Sequence, residues 1–186
     1  MRIISGKLKG KKINPPIDKV TRPLRDLVKE SIFNVIKHSN KIEINLEKSI
    51  ILDLFSGSGS FGLEAISRGA KTCIFVENYL SASEILYKNI KNFKCQINCI
   101  ISKLDCFDYI ENLKENELRL DLIFLDPPYK EKRINILLEK ILEKNLLRKN
   151  GVIIIHRHKK DNIKITEKLN IIDLRQYGIS KIIFAN

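Results

Sequence analysis

From residue 50 onward, short apolar runs alternate with stretches of helical period. Ile50-Ile-Leu-Asp-Leu-Phe55 reads as a buried strand, and the segment 60–68 after it reads as a helix closed by Gly69. Thr72-Cys-Ile-Phe-Val-Glu77 predicts a second strand followed by a helix over 81–93. Ile97-Asn-Cys-Ile-Ile101 predicts a third, with a helix over 105–113, and Asp121-Leu-Ile-Phe-Leu-Asp126 a fourth, with a helix over 131–145. Gly151-Val-Ile-Ile-Ile155 is a fifth, and the runs 171–177 and 181–184 meet near Gly178 as a terminal hairpin. Strands that alternate with helices and read as continuous apolar runs predict a mostly parallel α/β sheet covered on both faces.

The first 49 residues follow another pattern. Arg2-Ile-Ile-Ser and Lys11-Lys-Ile flank Gly6 and Gly10 and read as a short basic hairpin, which Pro15-Pro16 breaks off. Arg22-Pro23 opens a helix whose apolar positions Leu24, Val28, Ile32, Val35 and Ile36 keep helical spacing. Residues 38–49 are polar and read as a linker. We therefore expect a basic amino-terminal extension over 1–41 and the α/β domain over 42–186.

Charge sharpens that division. The chain of 186 residues carries 34 Lys and Arg against 22 Asp and Glu, a net +12. Residues 1–41 hold 11 and 3 of these, or +8, leaving +4 for the rest. Abundant lysine alone does not produce clustering, so the extension is expected to meet a polyanion such as RNA. No apolar window is long enough to cross a membrane, and Met1-Arg-Ile-Ile-Ser-Gly-Lys7 lacks the apolar stretch of a secretory signal, so we expect a cytoplasmic protein. Cys73, Cys95, Cys99 and Cys106 lack a second pair at zinc spacing; buried reduced thiols and no metal are expected.

The candidate chemistry starts at Gly57-Ser-Gly59-Ser-Phe-Gly62, with a strand before it and a helix after. Glu77, at the end of the next strand, suits two ribose hydroxyls. A nicotinamide dinucleotide and S-adenosylmethionine both fit this far. Asp53 favours the second, because an acid four residues before Gly57 repels a pyrophosphate but serves a methionine ammonium. Ordering of the glycine loop is its other reading. Asp105 is placed either to accept from an adenine amine or to cap a helix.

Asp126-Pro-Pro-Tyr129 follows the fourth strand. Two prolines fix φ and supply no N–H, so the turn is rigid and rich in acceptors: the Asp126 carboxylate and the Pro127 carbonyl. That pair suits a base with an exocyclic amine, and Tyr129 suits stacking on the base. His156 and His158, alternating with Arg157, read as an exposed strand end.

Ile51-Leu-Asp-Leu-Phe-Ser-Gly-Ser-Gly59, Glu77 and Leu125-Asp-Pro-Pro-Tyr129 resemble class I N-methyltransferases. Three further stretches narrow this: Arg2-Ile-Ile-Ser-Gly-Lys-Leu-Lys-Gly10, Thr21-Arg-Pro with Val28-Lys-Glu-Ser-Ile-Phe-Asn34, and Tyr177-Gly-Ile-Ser180. Together they resemble the bacterial 16S ribosomal RNA (guanine-N2)-methyltransferases, the small-subunit methyltransferase D family, along nearly the whole chain. The resemblance implies a Rossmann-like fold of seven strands ending in an antiparallel hairpin, and methyl transfer from S-adenosylmethionine to guanine N2 in 16S rRNA of the small subunit or its assembly intermediate, by a monomer. It implies that Asp53, Ser56, Gly57, Gly59, Glu77, Asp105 and Cys106 hold the cofactor. Asp126, Pro127 and Tyr129 would hold the guanine amine, and Arg22 the RNA, with Arg25 a further candidate for RNA contact. The pattern departs from the family at Leu24, Arg25 and Leu27, and Arg25 is either a phosphate contact or solvated. The competing readings are an adenine-N6 methyltransferase and an RNA-binding assembly factor without catalysis.

Overall fold

The computed structural model describes residues 1–16, 24–162 and 164–186. Its elements run α1 (Asp26–His38), β1 (Ile50–Leu54), α2 (Ser60–Ser67), β2 (Thr72–Val76), α3 (Leu80–Phe93), β3 (Cys99–Ser102), α4 (Cys106–Asn112), β4 (Leu120–Leu125), α5 (Ile134–Glu143), β5 (Leu147–His158), β6 (Ile171–Tyr177) and β7 (Ser180–Ala185). The strands form one sheet in the order β3-β2-β1-β4-β5-β7-β6. β1 to β5 pair with one another in parallel, and β7 lies antiparallel to both β5 and β6. The order reverses between β1 and β4, which opens a crevice at their carboxyl ends.

The strands are apolar on consecutive positions because both faces are covered. Ile51, Cys73, Phe75, Leu122, Phe124, Val152 and Ile154 face one core with α1, α2 and α3. Leu52, Leu54, Ile74, Val76, Ile123, Leu125, Ile153 and Ile155 face the other, with α4 and α5. α2 lies close to the sheet: a Cβ added at Gly62 would stand 2.3 Å from Phe75 and 2.5 Å from Cys73. Phe33, Phe61 and Phe124 stack in series, with centroid separations of 5.0 and 3.9 Å, and tie α1 through α2 to β4.

Several sequence expectations need correction. The amino-terminal hairpin is not one of these: an antiparallel bridge pairs Arg2 with Lys12, and the Ile3 and Gly10 N–H groups donate to the Lys11 and Ile3 carbonyls. Ile3 and Ile13 are buried in the same core as α1 and β1, so the loop is anchored by its apolar residues and shows its lysines to solvent. α1 begins at Asp26, with Arg25 at the capping position; Arg22 and Pro23 lie outside the described residues. The expected linker packs onto the core through buried Ile42 and half-buried Ile44 and Leu46. The third strand starts at Cys99, because Gln96–Asn98 form a 3-10 turn that leaves Ile97 exposed. Cys73, Cys95 and Cys106 are buried as expected, whereas Cys99 is half-buried on the edge strand β3. Among the described residues no helix is long and apolar enough to cross a membrane.

Candidate active site

A cavity of about 390 Å3 opens at the carboxyl ends of β1, β2 and β4. Three carboxylates line it: Asp53 near the end of β1, Glu77 just beyond β2 and Asp126 just beyond β4. Asp53 is 1% exposed. Its Oδ2 accepts the Gly62 N–H at 3.0 Å, while Oδ1 is the one buried side-chain polar atom without a partner among the described residues. Burial holds the Asp53 carboxyl well above the ordinary carboxylate range; the Gly62 N–H opposes this, and the charges of Asp126 and Glu77 add to it. The loop-ordering role of Asp53 is therefore real, and it leaves one buried acceptor unused.

Glu77 receives the backbone of the glycine loop. Its Oε2 accepts the Gly57 N–H at 2.7 Å and its Oε1 the Tyr79 N–H at 2.8 Å. Burial pushes its carboxyl up, tempered by those two N–H groups. The loop turns through left-handed backbone at Phe55 (φ 61°), Gly57 (φ 55°) and Gly59 (φ 83°), an unusual conformation for Phe55. At Gly59 a Cβ would also stand 2.4 Å from Leu86, so this glycine lets α2 and α3 close behind the loop. Gly59 precedes α2, and Gly57 lines the cavity. Ser56 lines it too, with its hydroxyl 2.8 Å from the Asp53 carbonyl and 3.0 Å from that of Val76.

Asp105 and Cys106 stand outside the cavity lining. Asp105 caps α4: Oδ1 accepts the Phe107 N–H at 2.9 Å and Oδ2 accepts from the Asn78 amide at 3.0 Å. The Cys106 thiol turns into the second core and accepts the Phe55 N–H at 3.3 Å, and burial pushes it up. Arg25 and buried Leu24 line the mouth of the cavity, while Leu27 is exposed.

The turn Asp126–Tyr129 forms the opposite wall. Arg157, 1% exposed, reaches behind it and donates to the carbonyls of Pro128 (3.4 Å), Tyr129 (3.4 Å) and Glu131 (3.1 Å), while Asp161 pairs with its guanidinium. The carbonyl of Pro127 is not among these. Tyr129 is 37% exposed, and its ring meets His158 edge-on, with centroids 5.2 Å apart. The expectation of an exposed strand end at 156–158 is thus wrong. β5 pairs with β7 over its whole end, so Arg157 and His156 are buried there, and His156 lines the cavity. Its Nδ1 lies 2.7 Å from Asp126 Oδ1 and its Nε2 2.9 Å from Ser180 Oγ. Sequence reasoning missed His156. The one signal for it was its place at the end of an apolar run, facing the small Ser180 of the tail.

An open parallel sheet with its order reversed between β1 and β4, a glycine loop after β1 and acids at the carboxyl ends define the Rossmann-like methyltransferase class of fold. Residues 1–186 match the family described as Conserved hypothetical protein 95, and the chain belongs to that family. It is 37% identical over 154 residues to a Bacillus subtilis protein provisionally named rRNA methyltransferase YlbH, covering 83% of this chain and 80% of the relative. It is 31% identical over 185 residues to the Ribosomal RNA small subunit methyltransferase D of Buchnera aphidicola subsp. Baizongia pistaciae, covering 100% and 90%. A solved Haemophilus influenzae structure provisionally described as a methylase is 27% identical and superposes with a TM-score of 0.78, covering 99% of this chain and 96% of that one.

Proposed function

We propose that this chain is an S-adenosylmethionine-dependent methyltransferase that modifies the exocyclic N2 amine of a guanine in 16S rRNA of the small ribosomal subunit. The observation that carries the reading is the convergence of three carboxylates on one cavity of a protein whose net charge is +12. Such a cavity repels a pyrophosphate and favours a cation. Its unpartnered, buried Asp53 Oδ1 fits the methionine ammonium, and Glu77, just beyond β2, fits the ribose hydroxyls. When bound, the cofactor supplies a methyl group already activated by its sulfonium.

The chain's own residues then orient the amine. The Asp126 carboxylate and the Pro127 carbonyl accept its two protons, which draws the nitrogen lone pair out of conjugation with the ring. Tyr129 stacks on the base, an interaction of about 1–3 kcal/mol. Positive charge developing on the amine nitrogen during the transfer would lie beside Asp126, whose carboxylate would take the surplus proton. Phe61 and Phe124 line the cavity with apolar surface and limit water there. The base reaches this turn by leaving its stack.

The relatives named for rRNA support an RNA substrate, and the amino-terminal stretches shared with the guanine-N2 family support N2 over adenine N6. Incubating the purified protein with methyl-labelled cofactor and small subunits from a strain lacking this modification is expected to give labelled N2-methylguanosine. Label recovered as N6-methyladenosine rejects the choice of base, and no label rejects the enzyme.

Two further outcomes are expected. Glu77→Ala weakens binding of S-adenosylhomocysteine by about 1.5–3 kcal/mol, roughly 10- to 150-fold, as read by calorimetry. Affinity for small-subunit RNA falls linearly with the logarithm of salt. Replacing the exposed Lys7, Lys9, Lys11 and Lys12 by Ala makes that slope shallower by about 0.7–0.9 for each phosphate that these lysines neutralise. An unchanged slope returns those lysines to solvent.

A further inference from the structure

We infer that His156 is a positioning residue for methyl transfer, holding the Asp126 carboxylate in the orientation that receives the amine; this rests on the function proposed above. Asp126 ends β4 and is followed by two prolines. Neither supplies an N–H, so the two residues that follow Asp126 offer its carboxylate no backbone donor. The carboxyl torsion is intrinsically broad, and an uncapped acid at a cavity wall samples several orientations. His156 provides a donor from β5. With Asp126 ionised the carboxylate only accepts, so the 2.7 Å contact is donated by Nδ1–H to Oδ1.

The imidazole is itself fixed. It is 7% exposed, and its other nitrogen is engaged by the Ser180 hydroxyl at 2.9 Å, across from β7. Both ring nitrogens are occupied, which sets the ring plane and spends Oδ1 of Asp126 on the protein. Oδ2 is left for the substrate, on a carboxylate whose side chain is one-fifth exposed. Consecutive residues of β5 thus grip the turn from two sides, His156 by its carboxylate and Arg157 by its carbonyls. The tail residue Ser180, which lines the same cavity, bears on the Asp126 carboxylate through this ring.

The test uses the full chain, labelled cofactor and small ribosomal subunits. His156→Ala is expected to lower kcat on the order of 10²-fold, since a misplacement of about 1 Å costs that much. KM for RNA and Kd for S-adenosylhomocysteine should stay near the wild-type values. His156→Asn places an amide nitrogen where Nδ1 stood and is expected to restore most of kcat. A purely structural histidine would move stability and every constant together, with no advantage of Asn over Ala. Wild-type turnover in His156→Ala, or equal impairment of both variants, overturns the inference. If the wild-type chain transfers no label to any RNA, the proposed function fails. The positioning role is then decided by a crystal structure of His156→Ala: a rotated Asp126 carboxylate supports it, and an unmoved one overturns it.

Discussion

Asp126→Ala is expected to slow methyl transfer by about 10²–10³-fold while S-adenosylhomocysteine binds with unchanged affinity. Loss of one preorganised electrostatic group facing a developing charge has that size of effect. In the proposed reaction the charge develops on the amine nitrogen, and Asp126 is the carboxylate of the Asp-Pro-Pro-Tyr wall. S-adenosylhomocysteine carries no sulfonium charge, so on that proposal its affinity reports Asp53 and Glu77 and is insensitive to Asp126. Asp126→Asn keeps one acceptor but not the charge, and should fall between Ala and wild type. Single-turnover rates with labelled cofactor separate the step from product release, and near-normal turnover in Asp126→Ala removes the electrostatic role.

Glu64→Ala is expected to cost about 3–5 kcal/mol of stability, the usual penalty for stranding a buried charge. Lys29 and Glu64 are both fully buried, with Nζ 3.5 Å from Oε2. Burial pushes the Lys29 ammonium down, opposed by the charges of Glu64 and Asp26. Glu64 also accepts the N–H groups of Ile4 (2.7 Å) and Ser5 (3.0 Å) and the Arg68 guanidinium (2.7 Å). Its removal leaves buried Lys29 only the more distant Asp26 carboxylate (3.7 Å) as a counter-charge and frees two backbone donors, which loosens the amino-terminal loop although Ser67 still ties Leu8 to α2. At about 2–4 °C per kcal/mol for a domain of this size, Tm falls by roughly 6–20 °C. Lys29→Met should cost less, because Glu64 keeps Arg68 and both amides. Reversible thermal unfolding followed by circular dichroism measures both. Equal losses in the two variants would show that the ion pair, and not the anchoring of the loop, dominates.

The sheet was legible in the sequence because its strands are buried on both faces. Each of Ile50–Leu54, Thr72–Val76 and Leu120–Leu125 is an almost unbroken apolar run, and the acids that interrupt or follow them mark the site. Asp53, Glu77 and Asp126 were found for that reason, since a charge next to a buried strand needs an explanation. His156 and Arg157 were not found, because burial there is imposed from outside the segment. Ser180 lies 24 residues away and the turn carbonyls 26–29 away. In isolation His-Arg-His reads as solvated. Glu64 escaped notice for the same reason. It is a lone acid in an otherwise uncharged helix, and its backbone partners lie 59 and 60 residues upstream. The amino-terminal loop was judged by its lysines, whereas its place is set by Ile3 and Ile13.

One spatial relation underlies the proposed reaction: in it, the donor sulfur faces the wall formed by Asp126, Pro127 and Tyr129. A crystal structure with S-adenosylhomocysteine measures it directly. The predicted result has the ammonium on Asp53, the ribose on Glu77 and the sulfur turned toward Asp126 across the cavity. A ligand seated elsewhere, or with its sulfur pointing away from that wall, contradicts it.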